Sequence, residues 1–216
     1  MQNRYRTILE YGEVEHIIEK SRFIGYAKPI QREEEALAFI EMIRTKHKNA
    51  THNVPVYILG ENNEIQRYSE DGEPAGTAGT PILDMLKKEE IKNTVIVVTR
   101  YFGSIKLGTG GLVRAYTATA KLALQEAKVI DKVMYHVIRI RIDYTLLGKV
   151  QNLLLNGNYV IKDTVFDDAV SLFVYGRIDE SDKLIKQIID LTNAKASIDV
   201  VDTLYLNEED GVLINI

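Results

Sequence analysis

The chain has no cysteine among its 216 residues, so disulfides, thiolate zinc sites and cysteine nucleophiles are excluded. It has no tryptophan, and its four histidines are scattered at positions 16, 47, 52 and 136. They form no His-Glu-x-x-His metal pair, and no serine sits in a nucleophile-elbow pattern. No apolar run approaches the roughly 20 residues of a membrane span, and the N-terminus lacks the basic-then-apolar signature of a secretory signal. The chain is therefore expected to be cytoplasmic, with no membrane partner. Nothing in the sequence fixes an oligomeric state.

What is present is the composition of a folded protein, 45% hydrophobic and 27% charged, with enough chain for one large or two small domains. The net charge of −4 conceals an uneven distribution. Residues 1–130 carry 18 Lys+Arg against 17 Asp+Glu, net +1, whereas residues 131–216 carry 9 against 14, net −5. Residues 92–128 hold Lys92, Arg100, Lys106, Arg114, Lys121 and Lys128 against Glu126 alone. That stretch is where phosphate should be attracted.

Periodicity predicts strands at residues 5–9, 14–18 and 23–29, a helix over 31–48 and a hairpin of 54–59 with 64–69. Thr80 and Pro81 read as the cap and first residue of a short helix ending near Lys88. The β-branched run at 95–98 suits a strand buried on both faces, and 112–127 is a helix. A second domain, 131–216, follows in the order βαββαβ: strand 137–144, helix 146–154, strands 158–166 and 169–178, helix 181–191, strand 196–206. That order is ferredoxin-like, so the fold class is α+β in two domains, 1–130 and 131–216.

Two glycine-rich segments concentrate the chemistry. Residues 69–81 read Ser-Glu-Asp-Gly-Glu-Pro-Ala-Gly-Thr-Ala-Gly-Thr-Pro and are acidic; residues 100–114 read Arg-Tyr-Phe-Gly-Ser-Ile-Lys-Leu-Gly-Thr-Gly-Gly-Leu-Val-Arg and are basic. In the basic segment Gly108, Gly110 and Gly111 precede a helix with Arg100, Lys106 and Arg114 nearby. Free backbone donors, a favourable dipole and cations make an anion or nucleic-acid site. The spacing is neither a P-loop nor a dinucleotide fingerprint, and a strand-to-helix connection with solvated cations gives the same pattern.

The acidic loop, with Asp71, Gly72, Glu73, Pro74, Gly76, Thr77 and Gly79, has no assigned role. Its carboxylates could hold Mg²⁺ beside a substrate phosphate, or serve as turn formers and partners of Arg100 or Arg114. No cofactor is otherwise called for. His52 is either an acid–base group or a structural histidine at a strand start. Tyr68, Tyr101 and Tyr116 flank the two loops and read as base-stacking or core residues.

Lys20-Ser-Arg-Phe-Ile24, Ala50-Thr-His-Asn53, Asp71-Gly-Glu-Pro-x-Gly-Thr-Ala-Gly-x-Pro81, Arg100-Tyr-Phe-Gly103, Leu107-Gly-x-Gly-Gly-Leu112 and Arg114-Ala-Tyr116 together resemble the YigZ/IMPACT family in its bacterial two-domain form. Ser104 and Val54-Pro55 depart from the family's usual residues. The resemblance implies an N-terminal domain similar to domain IV of elongation factor G and to the GHMP kinases, and a ferredoxin-like domain similar to domain V of that factor. It also implies a non-catalytic protein that attaches to RNA, the ribosome or a translation factor, since eukaryotic relatives regulate translation in amino-acid starvation. The alternative is a Mg²⁺-dependent small-molecule phosphate enzyme of GHMP-kinase-like fold, with Asp71 or Glu73 on the metal. The kinases' own glycine-serine phosphate motif is missing.

Overall fold

The β-branched run lies in β6 (Thr94–Tyr101), the middle strand of an antiparallel sheet, where Val95 and Val97 face one layer of core and Ile96 and Val98 the other. The computed structural model describes residues 2–215, which fall into two units dividing between Asp131 and Lys132.

In the first unit β1 (Arg4–Ile8) precedes β2 (Gly12–Ile18), β3 (Ser21–Pro29), β4 (His52–Leu59) and β5 (Ile65–Tyr68), and the sheet order is β2-β3-β6-β4-β5. One face is covered by α1 (Glu33–Lys46) through Phe39, Ile40 and Ile43. The other is covered by α2 (Gly79–Lys88) and α3 (Thr109–Glu126) through Ile82, Leu86, Leu112, Tyr116, Ala120 and Ala123. Each buried Ile, Leu or Phe among these contributes about 1.5–3 kcal/mol. Helices on both faces explain why an antiparallel strand carries no polar alternation.

Glycines let α3 lie close against the sheet. A methyl group on Gly12 would sit 2.5 Å from the Ala123 carbonyl oxygen, and one on Gly25 2.7 Å from that of Thr119.

The second unit contains most of β7 (Val129–Ile142), a 3₁₀ turn (Tyr144–Leu146), α4 (Leu147–Asn156), β8 (Val160–Phe166), β9 (Val170–Arg177), α5 (Ser181–Thr192), β10 (Ser197–Glu209) and β11 (Val212–Ile214). Its sheet runs β11-β10-β7-β9-β8. Ile138, Ile140 and Ile142 meet Val150 and Leu154 of α4 and Leu184 and Ile188 of α5. The opposite face holds Val133, Tyr135, Val137 and Tyr175 with Leu204, Leu206 and Leu213.

The last strand runs past residue 206, where the sequence suggested an end, and is followed by β11. Asp210 (φ 50°) and Gly211 (φ 80°) form the hairpin turn between them. Asp-Gly is the dipeptide favoured where both central residues need positive φ. Among the described residues, no helix is long and apolar enough to cross a membrane.

Candidate functional site

Sheet register sets the first part of the site. Arg100 at the end of β6 lies opposite Phe23 on β3 and His52 on β4, so the three side chains stand abreast. Its guanidinium carbon is 5.4 Å from the Phe23 ring centre and 5.5 Å from that of Phe102.

Glu73 descends from the acidic loop, its side chain only 3% exposed, and its Oε1 accepts from Arg100 Nη1 at 2.6 Å and from the Tyr116 hydroxyl at 2.7 Å. Burial, then the hydrogen bond to Glu73, push the Tyr116 hydroxyl far above its ordinary range, so it stays a donor. His52 Nε2 is 3.6 Å from the same carboxylate oxygen. His52 Nδ1 lies 2.7 Å from the Asp71 carbonyl oxygen; a carbonyl only accepts, so Nδ1 carries a proton. The Asp71 carboxylate accepts from the Asn53 amide at 2.6 Å, and Asn53 Oδ1 accepts from Thr99 Oγ1 at 2.8 Å.

Glu70 fills the start of α2. Its carboxylate accepts from the amides of Gly76, Ala78, Gly79 and Thr80 at 2.8–3.2 Å and from the Thr80 hydroxyl at 2.8 Å. Burial pushes this carboxyl up, but the donors outweigh it and leave it below the usual value. The expected cap, Thr80, is thus itself a donor inside the first turn. Ala78 holds the cap position, and the capping oxygens come from Glu70, eight residues upstream of it.

Elsewhere in the loop Thr77 donates its amide and hydroxyl to the Pro74 carbonyl, and Gly72 and Gly76 take φ of 87° and 76°. Gly79 packs on the Ser69 carbonyl, which an added methyl would approach to 2.6 Å. All three loop carboxylates are therefore engaged within the protein. Among the described residues no group of three or more His, Asp or Glu side chains is placed to hold a metal.

The basic loop is built the opposite way. Gly103 is pinned, since a methyl there would lie 2.2 Å from the Lys20 backbone, but from Ser104 onward the chain opens to solvent. Gly108 caps α3 at φ −69°, ψ 169° with no side-chain hydrogen bond, and the first turn contains no acidic residue. A methyl on Gly108 would meet nothing, and one on Gly110 would meet only Arg114 Nη1, at 3.8 Å. Gly111 is half-buried against Leu107. Lys106 and Arg114 are exposed, and neither is ion-paired among the described residues.

The structure thus separates the three cations that the sequence suggested would share one concave site. Lys106 and Arg114 are on the open surface, whereas Arg100 is 5% exposed and turned onto Glu73. The register that places it between Phe23 and His52 is the reason. Tyr116 is buried, Tyr101 is half-buried and Tyr68 is exposed. His47 is enclosed between the Tyr26 hydroxyl at 2.5 Å and the Tyr101 hydroxyl at 2.9 Å. Burial, then Lys46 and Arg22, lower its pKa, which keeps it neutral. Sequence reasoning missed the Asn53–Thr99 pair and the Tyr116 hydroxyl; the only available signal was the presence of both Asn53 and Tyr116 in the motif segments.

Residues 19–124 match the Impact N-terminal domain, and residues 140–195 match a domain of unknown function, DUF1949. The IMPACT family member YvyE of Bacillus subtilis is 41% identical over 208 residues, 96% of each chain. The IMPACT family member YigZ of Escherichia coli is 36% identical over 151 residues, 66% of this chain and 74% of its own. A crystal structure described only as a hypothetical protein superposes with a TM-score of 0.58 at 28% identity, covering 94% of this chain and 99% of that one.

Proposed function

Because the chain belongs to the IMPACT family, we propose that it is a non-catalytic binding protein that attaches to RNA or the translation machinery through the open start of α3. The observation that carries this reading is the first turn of α3. Among the described residues no side chain caps it and its first turn holds no acid, leaving the amides of Thr109, Gly110 and Gly111 without an acceptor, and the exposed Lys106 and Arg114 flank them in the chain. The family resemblance, with its translation regulators and its likeness to elongation factor G, supplies the partner. The finer fold reading goes with it: unit 2 as ferredoxin-like, its four main strands in the order β10-β7-β9-β8, and unit 1 as similar to domain IV of that factor. A non-catalytic role is favoured because the motif's most distinctive charged groups, Glu73 and Arg100, are spent on each other in a buried pair.

Binding of purified ribosomes and of an unstructured RNA oligonucleotide, titrated at several salt concentrations, tests the reading. Lys106→Ala and Arg114→Ala should each reduce the magnitude of the salt slope by about 0.7–1 while leaving the melting temperature unchanged. Sequence preference should survive, since phosphate contacts position without reading bases. An unchanged slope with a lowered melting temperature would overturn it.

A further inference from the structure

Strand β5 is the last strand of the first unit's sheet, and a groove of about 180 Å³ runs between it and α1. Leu37 and Arg44 of α1 and Arg67 and Tyr68 of β5 form its walls, and Pro55 and Tyr57 of β4 its floor. Leu37 is 54% and Tyr68 50% exposed, so apolar surface is left uncovered on both sides. The volume is below the roughly 300–1,000 Å³ of small-molecule sites and suits a single aliphatic side chain.

The edge beside the groove offers backbone hydrogen bonds. Ser69 donates its amide to the Pro55 carbonyl at 3.1 Å, and Arg67 lies opposite Tyr57, so residues 65, 67 and 69 direct their backbone groups to β4. Those of Gln66 and Tyr68, on the alternate positions, point outward. Arg67 Nη1 covers the Gln66 carbonyl at 3.1 Å, which leaves the amides of Gln66 and Tyr68 and the Tyr68 carbonyl for an incoming strand.

Arg44 and Arg67 are the charged side chains that line the groove, and both are cations. Arg67 is exposed and not ion-paired among the described residues, and Arg44 has only a long contact, 3.9 Å, to Asp71. The nearby carboxylates are engaged elsewhere: Asp71 accepts from the Asn53 amide, and Glu33 accepts from the Tyr57 hydroxyl at 2.7 Å. Outward amides require a polypeptide backbone, the apolar groove requires a side chain, and the cations flanking it require acids. We propose that an acidic segment of a partner protein adds a strand to β5, seating one aliphatic side chain in the groove and placing carboxylates two positions to either side of it on Arg44 and Arg67. This surface is independent of the start of α3.

Fluorescence anisotropy of the full chain at low salt, with the end-blocked, dye-labelled peptide Gly-Thr-Glu-Thr-Val-Thr-Glu-Thr-Gly, is the test. Saturable binding is expected, weakened about tenfold or more by Arg67→Glu and about two- to tenfold by Gln66→Pro, which removes an outward amide without touching the β4 ladder. Lys186→Glu, at an exposed cation of the second unit, should leave affinity unchanged. Lysine in place of both glutamates should abolish binding, and serine in place of valine should weaken it. Arg67 is exposed, so Arg67→Glu should melt like the parent chain and its affinity is interpretable whether or not Gln66→Pro folds. No saturable binding, equal binding of the lysine peptide, or equal losses in Arg67→Glu and Lys186→Glu would overturn the proposal. So would Arg67-dependent binding of an RNA oligonucleotide or Arg67-dependent self-association in sedimentation, which would assign the groove to a nucleic acid or to a second copy.

Discussion

The helices α2 and α3 both begin at glycine-rich loops of the same unit, yet their free amides face different things. At α2 the Glu70 carboxylate takes four backbone donors and a hydroxyl, so the chain has supplied its own anion. At α3 no side chain caps the helix, no acid lies in the first turn, and a methyl on Gly110 would meet Arg114 Nη1 at 3.8 Å. Every helix start exposes donors. The difference teaches that only the one left without an internal acceptor is available to another molecule. The acidic loop is architecture that holds Glu73 against Arg100 and Tyr116, and the basic loop is the accessible surface.

Substitutions on the two sides test this contrast. Arg100→Ala leaves Glu73 as a buried, unpaired carboxylate and should lower stability by about 3–5 kcal/mol in urea denaturation, with the RNA salt slope of the remaining folded protein unchanged. A reduced slope at full stability would instead place Arg100 with the α3 surface. Glu70→Ala strips the cap from α2 and should cost about 2 kcal/mol. The folded pKa of Glu70 lies below its ordinary 4.5. Its stabilisation is therefore complete above that value and lost as pH falls through the lower folded value. The urea midpoint of the parent chain should accordingly fall more steeply in acid than that of Glu70→Gln; superimposable acid limbs would mean that the cap carries no charge-dependent stability. The smallest effect is expected at α3. Gly108→Asp adds a cap at a backbone conformation that suits one and into open space, and should stabilise by about 0.5–1 kcal/mol while weakening RNA binding. Unchanged RNA affinity there would remove the α3 start as the anion site.

Much of the fold was legible in local pattern. The apolar run of β6, the helical spacing of α1 and α3 and the second unit's element order all follow from periodicity, which packing on a sheet imposes directly. Contacts that join distant residues were not. Nothing near Thr80 reveals that Glu70 would cap α2, because the loop must first fold back on itself. Arg100 looks like any solvated cation until register sets it between Phe23 and His52. Asp210-Gly211 was a readable hairpin signal in the last residues, and it explains the added strand β11. Of the candidate site, Gly108, Gly110, Lys106 and Arg114 lie where a loop-to-helix reading puts them, exposed at one helix end, because that arrangement is local.

The close seating of α3 on Gly12 and Gly25 has a consequence for whatever arrives at its open end. With 2.5 Å and 2.7 Å left for even a methyl group between helix and strands, α3 cannot rock or slide without breaking its packing. If an anion binds there as proposed, the donors of the first turn belong to a helix already seated on the sheet, and binding need not spend entropy ordering that helix. The remaining freedom to be lost lies in the Lys106 and Arg114 side chains and in the ligand, so a ligand that is itself rigid should gain most from this surface.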